Sequence, residues 1–401
     1  MTETQSGKRR WPRKTLLSLV TFAIVFHLGG GWYFSNLIRT DALEPGPSER
    51  DYGVQVVEVS ESSIVIDGTD RRAIGHPGTL GLWWESGYGQ VGDIQSFEGT
   101  AVTRDFTVLD GDFPPVCAPD DQGNCTEVDL QGYAFPSDPS DVGLAFEEVV
   151  YESPVGTMGA WLIPPAFEPS NVWAIHMHGR RAERRETVRM LPAYAAAGIT
   201  SLVIDYRNDA GVPEDPSGLY KYGRTEWNDA EAAVQFALDA GAEGVVLVGY
   251  STGAAAEMAF LERSSLAESV TGIVFDSPNI DFGRVVSEEA AKRTIPGTPI
   301  PLPGSLVGAA KWIADLRFDI DWEAINYVGR DGIIDVPTLV FHGENDQTVP
   351  VSVSRDLEAQ YPNLVTLVSL AEADHVQTWN VDPGQYEQVL VEFLDQVVHG
   401  A

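Results

Sequence analysis

The chain has 401 residues, with 59 acidic against 26 basic side chains and a formal net charge of −33. That length allows two domains, or one large domain with an appendage, and a hydrophobic content of 43% supports a sizeable core. So acidic a surface excludes broad contact with a phosphate backbone, which needs Lys and Arg, and disfavours adhesion to anionic lipid heads; no nucleic-acid partner is expected, and the acidity reads as solubility.

Lys8, Arg9, Arg10, Arg13 and Lys14 mark a basic segment, residues 1–14, ahead of an uncharged and mostly apolar run over 15–36. At about 1.5 Å per residue that run spans about 30 Å of hydrocarbon. The basic flank predicts a single-pass signal anchor with its N-terminus cytoplasmic and everything after about residue 40 outside. A cleaved signal peptide is the competing reading, with Gly29-Gly30-Gly31 as a poor cleavage site. Residues 37–51 then read as a short exposed linker.

From 52 to 140 the pattern has period two. Val54–Val59, Ser63–Ile66, Thr79–Trp84 and Ala101–Val108 read as strands separated by Gly, Asp and Pro turns. The expectation is a β-rich accessory module without a catalytic pattern, in which His76 is a turn residue and Trp83 and Trp84 pack against the main domain, with a binding surface as the alternative. Cys117 and Cys125 share one loop, and no Cys-x-x-Cys or Cys/His pattern accompanies them. No zinc is expected there; a local disulfide fits an extracytoplasmic segment.

Over 141–401 strands alternate with helices. Ala145–Tyr151 and Met158–Ile163 read as a hairpin. Strands follow at Val172–His176, Ser201–Asp205, Val245–Val248, Thr271–Phe275, Thr338–Phe341 and Leu364–Leu370. Helices are predicted at Glu183–Ala197, Glu226–Ala240, Ala254–Arg263 and Pro383–Val398. This alternation implies a mostly parallel sheet flanked by helices. Residues 277–335 interrupt it and read as a small cap over the sheet's carboxyl edge, where sites of open α/β sheets lie.

The central strand ends in Gly249-Tyr250-Ser251-Thr252-Gly253 and runs into an alanine-rich helix, the order of a nucleophile elbow. Three further segments lie in register with it: His176-Met177-His178-Gly179-Arg180, His342-Gly343-Glu344-Asn345-Asp346-Gln347-Thr348-Val349-Pro350, and Ala371-Glu372-Ala373-Asp374-His375. With these motifs the chain from about 144 to 401 resembles the α/β-hydrolase superfamily. The resemblance implies Ser251 as nucleophile, Asp346 as acid and His375 as base, with the backbone N–H groups of Thr252 and Arg180 as oxyanion donors. Many members carry a small residue where Arg180 stands, which leaves the pocket's shape open.

The chemistry requires such a set. A serine hydroxyl needs an adjacent base, imidazole titrates near neutrality, and a carboxylate fixes the ring tautomer and steadies the imidazolium. Glu344 and Asp276 are alternative acids, and His176, His178 and His342 alternative bases that read as structural. Asp205-Tyr206-Arg207 also ends a strand and is expected to be structural. Arg180, Arg181, Arg184 and Arg185 cluster beside the oxyanion loop. Recognition of a substrate anion, with Arg181 and Arg184 foremost, competes with ion pairing to Glu183 and Glu186. No cofactor and no metal are expected, and the oligomeric state is not readable. The expected function is a membrane-anchored, extracytoplasmic serine hydrolase acting through an acyl-enzyme on small-molecule carboxylic esters. A serine peptidase of the same fold and a non-catalytic binding protein are the alternatives.

Overall fold

The computed structural model describes residues 13–46, 53–68, 70–117 and 127–399. Its N-terminal helix α1 (Arg13–Ile38) continues into a π-helical turn over Arg39–Leu43, so the predicted linker starts as helix rather than as extended chain. Leu17–Leu43 is long and apolar enough to cross a membrane. The Cys117–Cys125 pairing expected from sequence involves Cys125, which lies outside the described residues.

Six strands close a barrel in the order β1-β2-β5-β4-β3-β6: β1 (Val54–Val59), β2 (Ser63–Gly68), β3 (Leu80–Trp84), β4 (Gly87–Glu98), β5 (Ala101–Gly111) and β6 (Glu127–Gln131). Alternate residues point inward, so Val56, Ile64, Ile66, Leu82, Trp84, Val91 and Val102 form its core. Closure leaves no free edge to pair with another chain. One end is plugged by Arg104, fully buried, whose guanidinium donates to the carbonyls of Ile74, His76, Gly78 and Gly92. The short helix α2 (Arg71–Ile74) lies between β2 and β3. Two strands, β4 and β6, were not predicted. Gly87, Gly89 and Gly92 dilute the apolar pattern of β4, and β6 follows the cysteine loop with little alternation of its own.

The second sheet has eight strands in the order β14-β13-β12-β11-β9-β10-β8-β7. They are β7 (Glu147–Ser153), β8 (Gly156–Ile163), β9 (Val172–Met177), β10 (Thr200–Ile204), β11 (Gly244–Tyr250), β12 (Val270–Asp276), β13 (Thr338–Gly343) and β14 (Val365–Leu370). The β7–β8 hairpin is antiparallel and joins β10 antiparallel, whereas the other neighbours are parallel. Helices on both faces bury β10, β11 and β13 completely, which is why those strands are continuous apolar runs. The helices are α3 (Leu191–Ala196), α4 (Trp227–Asp239), α5 (Thr252–Arg263), α6 (Phe282–Ala291), α7 (Gly304–Phe318), α8 (Ser352–Gln360), α9 (Thr378–Val381) and α10 (Pro383–His399). The predicted helix from Glu183 starts instead as a 3-10 segment over Arg184–Met190, and Pro192 sits in the first turn of α3.

The interruption predicted as a cap contains α6 and α7. Its middle, Val286–Glu323, groups with the N-terminal segment through Glu44 into a compact unit of its own, while the barrel and the eight-stranded sheet belong to a second unit.

Glu257, on α5, is fully buried. Burial pushes its carboxyl well above the usual carboxylate range, with the Val248 backbone opposing only in part. Above about pH 4.3 the unfolded chain releases this proton while the folded chain retains it. Each further pH unit therefore costs about 1.4 kcal/mol of stability until the folded pKa is reached. Glu257→Gln removes that cost. Urea unfolding is expected to find the stability of the variant relative to wild type rising as pH increases above about 4.3.

Candidate active site

At the end of β11 the chain turns so sharply that two positions exclude any side chain. A Cβ on Gly249 would lie 2.6 Å from Ala254 Cα, and one on Gly253 would lie 2.1 Å from the Met177 carbonyl oxygen. Between them Ser251 adopts φ 48° and ψ −111°, a conformation that L residues avoid unless the surroundings enforce it. Its own backbone is fixed on both sides, with Ser251 N–H donating to the Asp276 carbonyl and Asn279 N–H donating to the Ser251 carbonyl. Ser251 thus stands at the N-terminus of α5, whose first N–H groups have no partner within the helix.

His375 follows β14, and its ring joins two of the predicted residues. Nε2 lies 2.9 Å from Ser251 Oγ, and Nδ1 lies 2.7 Å from Asp346 Oδ2. Asp346 follows β13, and its other oxygen accepts from the N–H groups of Thr348 and Val349 at 2.8 and 2.7 Å. Burial opposes ionisation of Asp346, but the charge of His375 and hydrogen bonds from His342 and His375 outweigh it and hold the carboxyl far below the usual range. Burial likewise works against a charged His375, yet the Asp346 carboxylate raises its pKa above the ordinary histidine value.

With His375 assigned as the base for Ser251, the ring must be neutral to act, so kcat/KM for an ester is expected to rise with pH through a limb lying above about 6.5. Asp346→Asn should move that limb to lower pH as well as reduce its plateau, which a pH–rate profile would read directly. A limb at or below 6.5 in the wild type would contradict the assignment.

The alternative acids are engaged elsewhere. Glu344 pairs with Arg355, and the buried Asp276 accepts from Ser277 Oγ at 3.1 Å and Thr378 Oγ1 at 3.2 Å. The alternative bases have structural partners: His176 bonds Ser201 Oγ at 3.1 Å, and His342 bonds Ser354 Oγ at 2.7 Å. Asp205 pairs with Arg184, and Arg207 grips Asp229 through two nitrogens.

The loop predicted to supply an oxyanion donor follows β9. Gly179 packs so closely on the elbow that a Cβ there would lie 3.2 Å from Ser251 Cβ, and its N–H donates to Glu186 Oε2 at 2.7 Å. His178 is buried, with Nδ1 donating to the Gly179 carbonyl and Nε2 to Asp209. Burial alone would lower its pKa, but Asp209 carries it to about 9, so the ring is a fixed cation bracing the loop. The ligand atoms of His178, Asp205 and Asp209 lie within 4.8 Å of one another, but the imidazolium and Arg184 already occupy the two carboxylates.

Arg181 and Arg184 border a cavity of about 500 Å³ that also touches His178, Asp209 and Tyr220. Arg184 is held by Glu148 and Asp205 and lies over the Trp161 ring. Arg185 pairs with Glu183 and lies over Tyr133. Arg181 has φ 59°, and its N–H points to the Tyr220 hydroxyl at 3.4 Å.

Sequence patterns did not single out Arg189. Its buried guanidinium donates to the Val376 carbonyl at 2.7 Å, next to the base, and to Asn380 Oδ1 at 2.8 Å. Nothing in a single sequence marks it, because its partners are carbonyls some 190 residues away.

Residues 172–389 match the alpha/beta hydrolase family, more than half of the chain. The chain belongs to the α/β hydrolase family. Solved structures share its fold. An esterase from Pyrococcus furiosus aligns with a TM-score of 0.51 at 20% identity, covering 66% of this chain and 96% of its own. An α/β serine hydrolase from Xanthomonas campestris, described as having no lid, aligns with a TM-score of 0.43 at 16% identity over 67% of this chain and 98% of its own. No curated protein matches the sequence. In this α/β hydrolase the match begins at β9, so the barrel and α1 lie outside it.

Proposed function

We propose that the chain is a serine hydrolase of small-molecule carboxylic esters, held in a membrane by α1 with its catalytic part on the extracytoplasmic side. The observation that carries the chemistry is the His375 ring, within hydrogen-bond reach of both Ser251 Oγ and Asp346 Oδ2. His375 removes the proton as Ser251 Oγ attacks the ester carbonyl, and Asp346 stabilises the imidazolium that forms. The N–H groups of Thr252 and Arg180 receive the developing oxyanion, each worth about 3 kcal/mol to the transition state. His375 then protonates the departing alkoxide, leaving the acyl group on Ser251 Oγ. Water, deprotonated by the same ring, attacks that acyl-enzyme; as the acyl–Oγ bond breaks, His375 returns the proton to Ser251 Oγ and the carboxylic acid departs. Helix α1, with the basic residues before it, supports the anchor and its orientation.

A fluorophosphonate probe followed by comparison of p-nitrophenyl esters with peptide amides tests the reading. Labelling at Ser251 with turnover of esters in preference to amides is expected. Preference for amides would favour a peptidase, and the absence of label a binding protein. In the same panel, Arg181→Gln and Arg184→Gln bear on anion recognition. KM values unchanged from wild type for anionic and neutral esters alike in both variants would leave these arginines a purely structural role.

A further inference from the structure

Between Arg293 and Lys311 the chain runs through Thr294–Ala310 without a single charged residue, in a protein of net charge −33. The stretch is a Pro-rich hairpin, with Ile295 N–H donating to the Ile300 carbonyl, followed by the first half of α7. Leu306 and Ala310 are buried, but other residues here face outward. Ile300 is 53% exposed, and on α7 Trp312 and Leu316, four residues apart on one face, are 59% and 68% exposed.

What α7 packs against is α1. Leu306 meets Gly30, Ala309 and Ile313 meet Gly31, and Arg317 reaches Ser35 Oγ at 2.7 Å and Asn36 Oδ1 at 3.0 Å. Contacts advance together along both helices, so α7 runs parallel to the outer part of the membrane-length segment. A Cβ on Gly31 would stand 2.8 Å from Ile313 Cδ1 and 3.3 Å from the Ala309 backbone, the close approach that small residues permit between membrane helices. Gly30 and Gly31, a poor cleavage site in the sequence, thereby acquire a packing role that needs the helix retained. Beside this contact α1 exposes Leu17, Val20, Phe22, Ile24, Val25 and Leu28, and Trp312 and Leu316 extend the same apolar surface onto α7.

The charges that follow are all engaged. Arg317 lies 3.8 Å over the Trp32 ring, Lys311 lies 4.7 Å from the Trp322 ring, and Asp315 accepts from the Asp321 N–H. An aromatic residue paired with Arg is what the boundary between hydrocarbon and water favours.

We infer that the hairpin and α7 form a re-entrant element, with Ile300, Trp312 and Leu316 in the acyl-chain region of the outer leaflet beside α1. The inference rests on the anchor reading above. Non-helical backbone at that depth is tolerated where protein satisfies its polar groups, and the internal hydrogen bonds of the hairpin and its contact with α7 provide that. The occupant of this face is lipid acyl chain, argued from its packing against α1 and, for the hairpin, from the absence of charge over Thr294–Ala310.

The test uses the full chain in phosphatidylcholine vesicles, with Cys117 and Cys125 replaced by Ser and one environment-sensitive fluorophore per protein. Positions are Ile300→Cys, Trp312→Cys and Leu316→Cys, with Val25→Cys as the in-span control and Glu288→Cys as the aqueous control. Doxyl-labelled lipids should quench the three test positions to at least half the extent seen at residue 25, and leave residue 288 unquenched. Quenching at residue 25 with residues 300, 312 and 316 behaving like residue 288 would overturn the inference while the anchor stands. No quenching at residue 25 would remove both. Three exposed positions keep the test decisive if one variant fails to fold, and hydrolysis of a water-soluble ester checks each labelled protein.

Discussion

Ser251→Ala is expected to lower kcat for a p-nitrophenyl ester by roughly a millionfold and to abolish fluorophosphonate labelling. The magnitude follows from the geometry. In the proposed mechanism His375 acts as base through Nε2, which lies 2.9 Å from Ser251 Oγ. Removing that oxygen removes covalent catalysis altogether and leaves only binding and the oxyanion donors, which by themselves still exceed water by about a thousandfold or more. His375→Ala should cost about as much, because the two residues act as a unit and their losses do not add. Asp346→Asn should cost about ten-thousandfold, since the ring survives but in the wrong tautomer. A loss below about tenfold in Ser251→Ala would refute the mechanism. The elbow itself should survive, since its strain is imposed by Gly249 and Gly253 and by the two backbone bonds of Ser251 rather than by the hydroxyl.

These residues were legible because chemistry and backbone geometry constrain them locally. A tight strand-to-helix corner demands glycine on either side of Ser251, and the acid and base loops each follow a strand whose apolar run is visible. The residues that hold the loops were not legible. Glu186 fixes the Gly179 N–H, yet in sequence it stands among arginines and reads as a surface ion-pair partner. Arg72 joins Asp374, at 2.8 Å, to the Asn345 carbonyl, so a barrel residue touches both the acid and the base loops. No periodicity predicts a bond between residues 72 and 374. The 3-10 segment at Arg184–Met190 departed from the predicted helix for a related reason: it carries Glu186 and Arg189 inward toward polar loops, and both are buried. Likewise the expectation of a cap over 277–335 carried no sign that α7 packs on α1.

Arg189→Met carries the second large expected effect, because Arg189 ties the base loop to the barrel. Besides Val376 and Asn380 it reaches the Gly132 carbonyl at 3.3 Å, just after β6. Asn380 in turn donates to the carbonyls of Thr79 and Gly132 and accepts from the Thr79 N–H at 2.8 Å. Residues beside β3 and β6 thus bond the segment that follows His375, and Arg189 is the charged member of that junction. Methionine fills similar volume but leaves buried carbonyls without donors, at about 1–3 kcal/mol for each acceptor left unpaired. Urea unfolding reads that part. The catalytic part follows from Val376, which adopts φ 53° one residue after the base and is held there by Arg189 and by its own N–H donating to Ser277 Oγ. Released on one side, the loop lets His375 drift from Asp346, and a misplacement of about 1 Å can cost about a hundredfold in kcat. KM should change little, because no substrate contact is lost. The acid limb of the pH–rate profile should move downward, since a ring farther from Asp346 loses the carboxylate that raises its pKa. Arg189→Lys cannot serve Val376 and Asn380 with one planar fork, so it should restore stability more than rate. A folded Arg189→Met protein with wild-type kcat and an unmoved limb would show that the barrel stabilises the enzyme without positioning its base.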